Sequence, residues 1–301
     1  MSPLAIVLVL ISCVSHATWN LWTKQSSKGL NFFLLGSLGV LAAGLPVFWL
    51  WDGAGILQAR PELFVCLAVT GCFQAAYYLG LVKAYRLGDI SVVYPLVRTT
   101  PIFVLLLAGT LRGLWPAWPA AVGIVLVVFG CFLLPWQPGK GIRLKDYLNR
   151  ASAWAIFAAL ASSGYTLIDD LGMSYMVERF PRPQAAFLYG YLEWLSSTVA
   201  LALGARLVAE PETFRRVWTL EARRALTVGL LIFGTYLLIL WAYSLSTQVS
   251  YVAAMRQFSI VLGVLAGITL LKESGGRTRI LASAVIVVGL ILIGLSAARG
   301  R

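Results

Sequence analysis

Ten stretches of mostly apolar residues, each about 20 long, decide what this chain can fold into. They lie near 3–22, 31–51, 61–84, 90–110, 117–135, 151–172, 184–204, 224–244, 249–271 and 278–297. A run of that length spans about 30 Å of hydrocarbon as a helix. Lipid offers no water to the backbone, so each span must satisfy its own N–H and C=O groups, which a helix does. The expectation is an all-α integral membrane protein with ten transmembrane helices. Composition agrees: 59% of the 301 residues are hydrophobic and 12% charged, against about 25% charged in soluble domains. Eleven Trp and twelve Tyr suit a protein with two membrane–water interfaces, where such rings collect.

The formal net charge of +12 does not point to nucleic acid. No basic cluster is interleaved with a soluble fold, and cytoplasmic loops of membrane proteins carry such an excess. Cys13, Cys66, Cys72 and Cys131 all lie inside apolar runs, without metal-ligand or disulfide spacing, and read as small packing residues. No cofactor and no metal is implied. No Lys or Arg precedes the first apolar run, so that run reads as a transmembrane helix rather than a leader.

Two links stand out. "QPGKGIRLKDYLNR", residues 137–150, is basic, Gly- and Pro-punctuated and near the chain midpoint. "AEPETFRRVWTLEARR", residues 209–224, mixes charge with Phe214, Val217 and Trp218 and reads as a short interfacial helix. The midpoint link invites a search for a repeat. At an offset of 158 residues "KAYRLGD" (Lys83–Asp89) falls on "WAYSLST" (Trp241–Thr247), Arg98 on Arg256, and one "LAG" (Leu107–Gly109) on another (Leu265–Gly267). One residue of slippage later, Gly130 meets Gly289. The division is a first five-helix repeat over 1–136, the basic linker 137–150 and a second repeat over 151–301. Five crossings is an odd number, so the second repeat enters the membrane inverted. Inverted repeats are a transporter architecture with the solute site near mid-membrane.

Arg98 lies about eight residues into its span and Arg256 about seven into its own, roughly 12 Å and 10 Å deep from opposite faces. They straddle the midplane, where an arginine faces the bundle interior or a water-filled cavity. "YPLVRTTPIF" (Tyr94–Phe103) sets Arg98 between Pro95 and Pro101. Each proline frees a carbonyl one turn earlier, near Ser91 and Val97. Such groups persist at depth only where neighbours or cavity water satisfy them, so the span should be kinked beside a polar cavity. The plainer reading of either arginine is a tether to backbone carbonyls.

Other polar residues lie deep. Glu193, in "YGYLEWLSS", is read as the one carboxylate near a span centre, serving either to neutralise an arginine or in solute or proton coupling. His16 and Asn20 share a face of the first span, and His16 titrates near neutrality when unperturbed. Asp169 and Asp170 are read at the end of the sixth span. Tyr77, Tyr78, Tyr94, Trp241 and Tyr251 are candidates to line a cavity. "SIVLGVLAG" (Ser259–Gly267) carries a small-residue ladder that reads as close helix packing. The candidate solute-binding set is Arg98, Arg256, Glu193, Tyr78, Tyr94, Trp241, Tyr251 and Asn20; the candidate proton-coupling set is Glu193, His16 and Asp169.

No HExxH, GxSxG or P-loop pattern is present, so the chain does not read as an enzyme. The second half ends "LAGITLLKESGGRTRILASAVIVVGLILIG". A ninth span closing in a Leu-Leu-x-Glu turn, here with Glu273, and then a Gly-bearing tenth span resemble the EamA-type repeat of the drug/metabolite transporter superfamily. "SHATWN" (Ser15–Asn20) resembles the first helix of that group. The first half departs from the pattern, since "LLLAGTLRGLWP" lacks the Glu. The resemblance implies a ten-helix bundle and secondary transport by alternating access, frequently export of amino acids, metabolites or drugs.

The two arginines favour a carboxylate, phosphate or phosphonate solute, because a guanidinium makes bidentate contacts with such groups. Glu193 and the aromatics leave room for a zwitterion. A lipid flippase and a non-transporting membrane partner or sensor stand as alternatives. The partners expected are a small-molecule solute and the lipid bilayer of a bacterial-type inner membrane. The links after odd-numbered spans hold 16 Lys and Arg and the other side, with the termini, holds 6; Arg98 and Arg256 complete the 24. The positive-inside rule then puts the midpoint link in the cytoplasm and both termini outside.

Overall fold

A computed structural model describes residues 1–23, 29–88, 90–136, 148–205, 213–269 and 276–299. The order is α1 (Pro3–Thr23), α2 (Leu30–Leu50), a 3-10 turn η1 (Gly53–Gln58), α3 (Pro61–Leu87), α4 (Ile90–Val97), α5 (Thr100–Arg112), α6 (Trp118–Leu133), α7 (Arg150–Met176), α8 (Arg182–Ala205), α9 (Phe214–Tyr243), α10 (Val249–Met255), α11 (Phe258–Thr269) and α12 (Gly276–Arg299). No strand occurs among the described residues. Among the described residues eight spans are long and apolar enough to cross a membrane, while Pro3–Trp19 and Trp118–Leu133 form shorter apolar helices. Two of the eight, Val92–Arg112 and Val249–Thr269, are each broken into two helices.

Local chemistry sets the ends. Pro sits in the first turn of α3, α5 and α6, where its missing N–H costs nothing. Asn149 caps α7 by accepting from the Ser152 N–H at 2.9 Å, and Gly113 closes α5 in the left-handed region at φ 66°. The outer surface is apolar, as lipid requires. Trp49, Trp51, Trp115, Trp118 and Trp136 are exposed at or just beyond helix ends, where an interfacial ring belongs.

Helices in lipid are held by close packing rather than by hydrophobic exclusion. Two glycine contacts bring backbones together. A Cβ on Gly123 of α6 would lie 2.6 Å from the Gly289 carbonyl of α12, and one on Gly289 would lie 2.5 Å from the Gly123 carbonyl. A Cβ on Gly36 of α2 would lie 2.7 Å from the Ala225 carbonyl of α9.

Several expectations change. Residues Phe214–Arg224 do not form a separate interfacial helix; they are the first turns of α9. Thr213 caps that helix from the Arg216 N–H at 3.3 Å, and Val217 is buried against a cluster holding Phe32 and Leu35 of α2. In the expected small-residue ladder Ser259 and Gly267 are buried, whereas Gly263 has no atom near its missing side chain. Cys72 is exposed, whereas Cys13, Cys66 and Cys131 are buried. Asp169 does not end its span: α7 runs on to Met176, and Asp169 is fully buried, as Glu193 is. Glu193 is therefore not the lone deep carboxylate. Glu273, Lys24, Lys28 and most of the midpoint link lie outside the described residues, as does the side chain of Asn20.

Candidate functional site

The two broken spans break at the arginines. Val97 ends α4 and Thr100 opens α5, leaving Arg98 and Thr99 between them; Met255 ends α10 and Phe258 opens α11, leaving Arg256 and Gln257. Hydroxyls repair the first gap. Thr99 Oγ1 donates to the Leu96 carbonyl at 2.6 Å and Thr100 Oγ1 to the Val97 carbonyl at 3.0 Å, the latter being the acceptor that Pro101 frees. Ser163 Oγ of α7 reaches the Thr100 carbonyl at 3.2 Å. At the second gap Ser259 Oγ donates to the Arg256 carbonyl at 2.9 Å, and Cys13 Sγ of α1 approaches the same oxygen at 3.5 Å. The second gap contains no proline. Proline is thus not what the two breaks have in common; an arginine at the break is.

Both arginine side chains are half-buried, and no carboxylate stands within ion-pair distance of either among the described residues. Each rests on a tyrosine instead. The Arg98 guanidinium lies 5.0 Å from the Tyr94 ring centre and that of Arg256 lies 5.6 Å from the Tyr236 ring centre, at cation–π range. Tyr77 meets Tyr165 edge-on at 6.0 Å, and Tyr165 meets Tyr236 at 6.3 Å. Tyr77 lies within electrostatic range of both guanidiniums. So does His16 of α1, whose ring also meets Trp19 at 4.8 Å. Arg98, Arg256, Tyr94, Tyr77 and His16 therefore form one neighbourhood.

The remaining candidates divide. Tyr78 stands beside Tyr77 at 5.3 Å and against Phe33 at 5.4 Å. Glu193 accepts a hydrogen bond from Gln74 Nε2 and a long one, 3.4 Å, from Ser197 Oγ. Asp169 accepts from Thr70 Oγ1 at 2.6 Å, from the Tyr189 hydroxyl at 2.9 Å and from the Tyr236 hydroxyl. Asp170, its neighbour, is paired with Arg112 at 2.5 Å. Trp241 is half-buried against the main core, and Tyr251 is buried in α10; neither is drawn to the arginines by the contacts described. Among the described residues no group of three or more His, Cys, Asp or Glu is placed to hold a metal.

Sequence reasoning missed Tyr85, Tyr165, Tyr236 and Tyr243, of which Tyr85 stands in electrostatic range of Arg98 and the other three of Arg256. A signal was there for two of them. Tyr85 and Tyr243 are the tyrosines of the Ala-Tyr-x-Leu pattern, 158 residues apart as the arginines are.

Residues 3–136 match the model of the EamA-like transporter family. That stretch of the chain belongs to the drug/metabolite transporter superfamily. This EamA-like protein is a multi-pass membrane protein of a transporter family. The match falls on the first half, although "SHATWN" alone of the residues behind the resemblance lies there. No curated protein sequence matches this EamA-like chain. Among solved structures 29 chains match. One crystal structure superposes with a TM-score of 0.71, covering 99% of this chain and 98% of its own at 18% identity. At that identity the likeness shows the fold alone.

Proposed function

We propose that this EamA-like protein is a secondary transporter that exports a small anionic or zwitterionic organic solute by alternating access. The observation that carries the reading is the pair of half-buried arginines, each at a break in a membrane span and each without a carboxylate at ion-pair distance among the described residues. An intramembrane guanidinium needs compensation. A solute carboxylate, phosphate or phosphonate supplies it through bidentate hydrogen bonds. Broken helices with solute-facing ends are a recurrent device of carriers.

The reading includes ten spans in two inverted repeats, 1–136 and 151–301 around the linker, with α4–α5 and α10–α11 each counted as one span. The pairing of helices supports it. The packing of α3 against α7 has its counterpart in α9 against α1, and α3 against α8 in α9 against α2. The broken span α4–α5 lies on α7 as α10–α11 lies on α1, and α6 pairs with its own counterpart α12. Two such halves can rock about a fixed central site. Export is the direction the family resemblance implies, from a bacterial-type inner membrane.

A thermal-shift screen of the detergent-purified protein tests the reading. Amino acids, dicarboxylates and sugar phosphates serve as probes, since a binder stabilises the fold. A hit is then reconstituted in proteoliposomes. Stabilisation by an anionic or zwitterionic probe, lost in Arg98→Ala and Arg256→Ala, is expected. Wild-type binding and transport in both variants would overturn it.

A further inference from the structure

The acidic groups of the core do not follow the repeat. Among the described residues Arg98 has tyrosines, a cysteine and His16 in electrostatic range but no carboxylate, whereas Arg256 has Asp169 within range. Asp169 in turn lies within range of Glu193 one helix away. Both carboxyl groups are fully buried. Asp169 is fully engaged, with Thr70 and Tyr189 on Oδ1 and Tyr236 on Oδ2. Glu193 is not. Its Oε1 takes the bonds from Gln74 and Ser197, and its Oε2 is buried without a hydrogen-bond partner. A bare carboxylate oxygen, buried and within electrostatic range of a second carboxylate, is among the costliest arrangements a protein can hold. A proton on that oxygen removes the cost.

We infer that Asp169 and Glu193 form a proton-binding site, with one proton held by the pair at Glu193 Oε2, and that Tyr236 links this site to Arg256. The linking geometry is direct: the Tyr236 hydroxyl donates to Asp169 while its ring carries the Arg256 guanidinium. Around Asp169 the titratable and charged groups are Cys66 from α3, Tyr189 and Glu193 from α8, Tyr236 and Tyr243 from α9, and Arg256 from the break. Around Glu193 they are Tyr78, Asp169, Tyr189 and Tyr236. Among the described residues Arg256 is the one cation in either set.

The sign of the coupling follows. A solute anion on Arg256 neutralises the cation that favours an ionised pair, so the pair holds its proton more tightly. By reciprocity the proton strengthens anion binding equally. Proton and solute then travel together, the O–H bond forming on one side of the membrane and breaking to water on the other. An exporter with this linkage runs on the outward gradient of its solute. That consequence rests on the proposed transport; the proton site does not.

Infrared pH titration of the detergent-purified full-length protein tests the site without any solute. A protonated carboxyl C=O band is expected in the wild type, lost in Glu193→Gln, lost or displaced in Asp169→Asn, shifted in Tyr236→Phe, and untouched in Asp170→Asn. Arg256→Gln should bind the proton about tenfold more tightly, and Arg256→Lys should restore the wild-type midpoint. The inference is overturned by a wild type without such a band, or by a band indifferent to both acids or to Arg256→Gln. A band that behaves as expected in a protein that moves no solute would sink the transport reading and leave the proton site standing.

Discussion

Arg98 and Arg256 stand 158 positions apart, and each is the first residue past the end of a half-helix, α4 in one case and α10 in the other. Tyr85 and Tyr243 accompany them at the same separation. Each guanidinium is thus presented by a helix end rather than from within a continuous helix.

Removing either guanidinium should weaken solute recognition. A hydrogen bond to a charged group contributes about 1.5–3 kcal/mol, so Arg98→Ala and Arg256→Ala should each weaken binding by roughly 10- to 100-fold. Titration of the screening hit by thermal shift reads this. Lysine at either position should recover part of the loss, since it keeps the charge without the planar fork.

Glu193→Gln should flatten the pH dependence of transport. The variant keeps the bond from Gln74 within reach but carries no titrating proton. Uptake into proteoliposomes across a range of external pH is the measurement, and a profile parallel to wild type would leave Glu193 a packing residue.

The glycine contacts separate packing from open space. Gly289→Val should lower stability by about 1–3 kcal/mol, because α6 cannot yield to a side chain meeting its backbone. Gly263→Ala meets no atom, and should be neutral or stabilising by up to about 1 kcal/mol. Thermal unfolding of the two variants in one detergent compares them directly.

Orientation follows from charge. With ten spans, 16 basic residues would fall on the side of the midpoint link and 6 on the other, so a C-terminal phosphatase fusion should be active and a cytoplasmic fluorescent fusion dark. On the sparse side, Arg60 is paired with Glu178 at 3.3 Å and Arg112 with Asp170 at 2.5 Å, which reduces the free positive charge there further. The opposite pattern of reporters would reverse the assignment.

The sequence by itself determined the solvent and the all-helical class, because each depends on runs of about 20 residues read one at a time. It also marked both arginines, since a guanidinium at that depth is conspicuous in any window, and their separation of 158 positions. What depends on neighbours from other helices was not legible. Asp169 looked like a span end because three hydroxyls from α3, α8 and α9 were invisible along the chain. Proline accounted for one break, but the other forms without it. Gly123 and Gly289 were ordinary small residues until α6 and α12 were brought face to face. Hydropathy is a property of a segment, so sequence carries it; which buried polar atoms find partners is a property of the packed bundle, and only the tertiary structure decides it.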